Sequence, residues 1–198
     1  MEIPNLNISL GQLAWAINFG QDVPKHKLDK LNYLRQLGIP EKATKKQLGS
    51  GNRVAYGYED LVECGVALYA LNQGMKPSDI TKVLLKKRGQ MKKVYRNALI
   101  NHPENSLNET WVRSRGQELT MNTHDLALRL HDKYDDKSGE IDVVTMDEFA
   151  QGGVLTPLDL VERFPDGSFR ALVPLSLLAM QWTYWAVHAP EIRPGPKG

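Results

Sequence analysis

The 198-residue chain has one cysteine, Cys64, so it can form neither a disulfide framework nor a multi-cysteine zinc site. The thiol sits in an apolar helical pattern and reads as a small buried hydrophobe. The first residues, Met1 to Asn5, carry no basic segment followed by an apolar run, which argues against a secretory signal. The most apolar stretch, 171–189, is short and broken by Pro174, Ser176, Gln181 and His188, and it does not read as a membrane span. These absences predict a soluble, cytoplasmic protein with no membrane partner. The glycine cluster Gly49-Ser50-Gly51-Asn52 follows no buried strand and lacks the Gly-Lys-Ser/Thr ending of a phosphate loop. No nucleophile–base arrangement stands out, so the chain is not expected to be an enzyme. No internal repeat and no cofactor motif is present.

What the chain does have is charge segregation. Residues 1–100 hold 16 Lys+Arg against 8 Asp+Glu, whereas residues 101–198 hold 9 against 15, within a formal net charge of only +2. A basic first half points to a polyanionic partner and leaves the acidic half for another task. Hydrophobic residues make up 41% and charged residues 24%, as in ordinary globular chains, so a proper core is expected.

Helical periodicity dominates the first half. Leu10, Leu13, Ala14 and Ile17 share a face, Ser9 and Gln12 are placed to form a capping box, and Gly20 ends the segment. A second helix starts near Pro24, turns Leu28, Leu31, Leu34 and Leu37 inward, and stops at Gly38. Two short amphipathic helices joined by the tight turn 19–23 form a helix-turn-helix candidate. From Pro40 to Gly57 the helical period breaks, and a hairpin with basic flanks is expected at 45–56. Helices follow from Tyr58 to Asn72 and from near Pro77 toward Leu99. The last of these presents Lys82, Lys86, Lys87, Arg88, Lys92, Lys93 and Arg96 outward, either as a nucleic-acid contact or as a solvated face.

The second half reads as a helix over 119–134, a strand at Glu140–Val143, and a hairpin in which Arg163-Phe164 and 169–173 flank the turn 165–168. An apolar helix follows from Ser176 to His188, and then a Pro/Gly-rich disordered tail, 190–198. The acidic run 132–140 mimics a calcium loop, but with Gly139 at the sixth position Tyr134 falls first and Thr145 last, where carboxylates are required. It reads as a polar turn. His124 and His131, seven apart, would share a helical face without a third ligand, so no metal site is assigned. Trp182, Tyr184, Trp185 and Phe169 read as core or dimer interface ahead of a ligand pocket.

Tyr56-Gly57-Tyr58-Glu59-Asp60-Leu61, then Gly74-Met75, Ser78-Asp79-Ile80 and Leu84, together with Leu31-Asn32-Tyr33-Leu34-Arg35-Gln36-Leu37-Gly38-Ile39 upstream, resemble the MerR family of transcriptional regulators over about the first ninety residues. Asn32 stands where that family has arginine, the segment before it is a few residues longer, and Ala55 adds a residue between Arg53 and Tyr56. Excisionases share the module.

The resemblance implies a mainly α protein: a MerR-like winged helix-turn-helix domain at 1–100, joined to a small α+β dimerisation, effector or partner domain at 105–189. It also implies a sequence-specific, dimeric regulator of transcription that places a recognition helix, 24–37, in the major groove of double-stranded DNA, with the hairpin as wing. RNA polymerase or a small-molecule effector are the further partners implied; thiolate metal sensing is excluded, since no cysteine follows Cys64. An architectural or recombination accessory factor of the excisionase kind, its acidic half recruiting a protein, is the alternative. Side chains that can reach base edges or phosphates are Lys25, His26, Lys27, Lys30, Tyr33 and Arg35 on the helix, and Lys45, Lys46, Asn52, Arg53 and Tyr56 on the wing.

Overall fold

Ser9 starts the first helix. Its hydroxyl accepts from the Gln12 backbone N–H at 3.3 Å while the Gln12 side chain accepts from the Ser9 N–H at 2.9 Å, the capping box expected from the sequence. The computed structural model describes residues 3–41, 54–100, 126–132, 139–145 and 169–191. Within them run α1 (Leu10–Ile17), α2 (Lys25–Gln36), α3 (Tyr58–Asn72), α4 (Pro77–Ile100), β1 (Leu126–Asp132), β2 (Gly139–Thr145), β3 (Phe169–Val173) and a last helix, α5 (Leu175–Val187). The fold is mainly helical.

α3 is the central element. Eleven of its fifteen residues are buried, so it is enclosed on nearly all sides instead of showing an amphipathic stripe. Asp60 holds its first turn by accepting from the Gly57 N–H at 2.8 Å, and Leu61 is fully buried. Cys64 is buried too, and that burial pushes its thiol pKa well up, as suits an inert core residue. The Tyr58 hydroxyl donates to the Tyr95 carbonyl at 2.6 Å, tying α3 to α4; burial raises its pKa.

The sheet has the order β2-β1-β3, antiparallel throughout. β1 corrects the helix expected over 119–134, at least for its described part. Leu126, Leu128 and Leu130 recur every second residue, and Leu128 and Leu130 are buried together with Ala127 in the central strand. Leu126 and Leu130 alone are also compatible with one helical turn, which is how the period misleads. His131 therefore lies on a strand, and the shared helical face with His124 disappears. The strand expected at Glu140–Val143 is present within β2. β3 covers 169–173 as expected but pairs with β1; its expected partner Arg163-Phe164 and the turn 165–168 lie outside the described residues.

Described residues from both sides of the boundary expected between 1–100 and 105–189 pack together. One buried cluster joins Ile8, Leu13, Leu34 and Leu61 with Leu128, Val173, Met180 and Trp182. The physical reason is α5, which is apolar on most of its circumference and can be covered only by packing against α1, α3, α4 and β1. The Trp182 ring lies against α3 at Gly65, where an added Cβ would come within 2.4 Å of it. Trp182 and Tyr184 are buried core residues, so they do not line an open ligand pocket. Of the tail expected at 190–198, Pro190 is described, and its carbonyl accepts from Gln12 Nε2 of α1 at 3.2 Å.

Candidate nucleic-acid interface

The turn between α1 and α2 is built around Asn18. This C-cap residue of α1 donates from Nδ2 to the carbonyls of Gln21 at 3.2 Å and Asp22 at 2.7 Å, and its Oδ1 accepts from Lys27 Nζ at 2.6 Å. The chain then reverses through Phe19 and Gly20, with φ of 55° and 72°. Glycine is needed at position 20 twice over: for the left-handed backbone, and because the Trp185 ring occupies the space a Cβ would take. Trp185 in turn meets Trp15 edge-on, with ring centroids 5.4 Å apart.

α2 is anchored along one side. Leu31 and Leu34 are fully buried, Leu28 and Leu37 are half-buried, and Lys30 Nζ donates to Asn72 Oδ1 at the end of α3, at 2.9 Å. Gly38, at φ 88°, ends the helix in the left-handed conformation, and Ile39 N–H returns to the Leu34 carbonyl at 3.0 Å. Arg88 of α4 holds this end. Its Nη2 donates to the Gly38 carbonyl at 2.7 Å and its Nε to Glu63 of α3 at 2.8 Å. Glu63 is buried, and desolvation raises its carboxyl pKa against the opposing pull of Arg88.

The opposite side of α2 is open. Lys25, His26, Asp29, Asn32, Tyr33 and Gln36 are exposed and lie along one face at helical spacing. Tyr33 stands out from the middle of this face, 47% exposed. Of the contact residues predicted from sequence, Lys25, His26 and Tyr33 belong to it. Lys27 and Lys30 are half-buried and engaged with Asn18 and Asn72. Arg35 is half-buried as well, with Nη1 donating to Asn32 Oδ1 at 3.1 Å.

Tyr56 is a correction. At 1% exposure it belongs to the core, paired through its backbone with Ile8 in an antiparallel bridge, and it cannot reach a duplex. Burial raises the pKa of its hydroxyl, while the neighbouring Arg35 guanidinium pulls the other way. Lys45, Lys46, Asn52 and Arg53, the rest of the expected wing, lie outside the described residues. Asp29, Asn32 and Gln36 also stand on the open face of α2 and were not among the expected contact residues. Asp29 and Gln36, four before and three after Tyr33, share its helical face, and that spacing was the available signal.

The basic side of α4 serves largely internal ends. Arg88 pairs with Glu63, Lys92 with Glu41, and Arg96 with Glu59 at 2.5 Å, and Lys87 Nζ donates to the Ile141 carbonyl at 2.8 Å. Lys82, Lys86 and Lys93 remain exposed, with no ion-pair partner among the described residues. The Lys92–Glu41 contact holds the Glu41 carboxyl below its ordinary pKa and raises that of Lys92.

Among the described residues there is no cluster of His, Cys, Asp or Glu able to hold a metal ion, and no helix long and apolar enough to cross a membrane. No protein-family model matches the chain, and neither a curated protein nor a solved structure matches it.

Proposed function

We propose that this chain is a sequence-specific DNA-binding regulator of transcription of the MerR-like kind, acting as a dimer, with the open face of α2 reading base edges in the major groove. The observation that carries the reading is the two-sidedness of α2. One side is locked to α1, α3 and α4 by Leu31, Leu34, Lys27, Lys30 and the Arg88 link at Gly38, while the other offers only polar or amphipathic side chains. An anchored helix with an outward polar face is what base readout needs, because the contacts then form without ordering the helix first.

The chemistry of that face supports the reading. Lys25 and His26 stand at the first turn, where cations meet phosphates. Asn32 and Gln36 carry amides suited to purine edges, and Asp29, an acceptor only, suits the amino group of cytosine. Tyr33 is an exposed aromatic with a hydroxyl that a sugar–phosphate backbone would cover.

Selection of bound sequences from random duplexes with the full chain, at two salt concentrations, tests the proposal. The expected product is a pseudo-palindrome with half-sites about one helical turn apart, or a multiple of it. Enrichment of clustered direct repeats would instead favour the accessory-factor alternative. No enrichment at physiological salt overturns both.

A further inference from the structure

A cavity of about 350 Å³ lies where α4 crosses the β1–β2 pair, within the roughly 300–1,000 Å³ common for small-molecule sites. Its apolar part is the half-buried Val143, backed by the buried Met91 and Ile141. Its polar part is made by Lys87 and Gln90 from the helix and by Arg129 and Asp142 from the strands. Arg129 and Asp142 face each other in the β1–β2 register and form an ion pair. Lys87 differs. It is half-buried, its ammonium donates to the neutral Ile141 carbonyl, and it has no carboxylate partner among the described residues.

We propose that this cavity is a binding site for a small organic monocarboxylate with a short apolar body. Among the described residues two cations and one carboxylate line it, so a single negative group balances that lining. A half-buried ammonium without a counter-ion among the described residues is the natural place for that group, since removing a cation from water is costly unless it is paired. The Val143 side chain, in the same cavity and backed by Met91 and Ile141, would take a short apolar body. Inorganic phosphate would bring excess charge and leave the apolar surface uncovered.

Phenylacetate and its neutral isostere phenylacetamide, titrated calorimetrically into the full chain, separate charge from shape. Phenylacetate is expected to bind saturably, one per chain, and phenylacetamide about tenfold or more weaker, the value of one charge-assisted hydrogen bond. Lys87→Met should weaken phenylacetate by a similar factor, while Lys87→Arg retains it. Gln90→Glu, at an exposed position, neutralises the lining without removing a described contact and should weaken it several-fold. Movement of the Met91 methyl resonance on titration locates the ligand. Failure of phenylacetate and isovalerate to bind at millimolar concentration overturns the proposal. So does equal binding of acid and amide, or undiminished binding by both folded Lys87→Met and Gln90→Glu.

Discussion

The indole of Trp185 lies over Gly20 so closely that a Cβ at position 20 would come within 2.3 Å of its ring. A helix near the end of the chain thereby packs onto the turn that sets the angle between α1 and α2. Gln12 and Pro190 add a hydrogen bond nearby, and Trp15 meets the same indole edge-on.

Gly20→Ala should therefore cost more than a left-handed alanine alone. The backbone term is about 1–2 kcal/mol, and overpacking adds about 1–3 kcal/mol. Urea unfolding measures the sum, and Trp185→Ala in the same chain should return the packing part only. Additive losses in that double-mutant cycle would show that the two residues are not coupled.

Gly65 offers a control with ordinary helical backbone. Gly65→Ala should destabilise by about 1–3 kcal/mol through overpacking against Trp182 alone. The wider consequence is cooperative unfolding: tryptophan fluorescence and helical circular dichroism should trace one transition, because α5 and α3 share a core. Two separated transitions would instead show two independent cores.

Removing Glu63 should be severe. Glu63→Ala leaves Arg88 largely buried without its carboxylate and is expected to cost about 3–5 kcal/mol, whereas a joint Glu63→Leu, Arg88→Met replacement should recover much of it. The pH profile carries a sign. The folded Glu63 carboxyl has a pKa raised above 4.5, so its contribution is greatest below that value and is lost as pH rises through the raised one. Glu41, lowered by Lys92, contributes above 4.5 and loses its contribution as pH falls. Stability curves of Glu63→Gln and Glu41→Gln should thus diverge from the parent in opposite directions. Parallel curves would remove both assignments.

For DNA, Lys25→Ala should weaken all sequences alike and reduce the salt slope by about 1. Asn32→Ala should cost about 1–3 kcal/mol on the selected site and relax preference at one position. Tyr56→Phe, buried away from the open face, should leave the salt slope unchanged. A Tyr56→Phe effect equal to that of Lys25→Ala would sink the α2 interface.

Much of the helical skeleton could be read directly. Ser9 with Gln12, Pro24, Gly38 and the span Tyr58–Asn72 carry local signals, because capping and helix termination depend on residues a few positions apart. The open face was half legible. Lys25, His26 and Tyr33 were found by type, but Lys27, Lys30 and Arg35 have the same chemistry and are engaged elsewhere, since their partners Asn18, Asn72 and Asn32 depend on how the turns and helices pack. β1 was missed because the Leu126/Leu130 spacing suits a helix as well as a strand, and only its pairing with β2 and β3 decides between them.

By itself, then, the sequence determined a mainly helical, basic first half, two short helices joined by a tight turn with their stops, and a thiol inside an apolar helical pattern. Those properties follow from short-range periodicity and composition. Only tertiary structure decided that α5 closes over α1 and α3, that most of the α4 cations serve internal contacts, and that Tyr56 is core. Each of these depends on partners tens of residues away, where burial and pairing, not local preference, set the free energy.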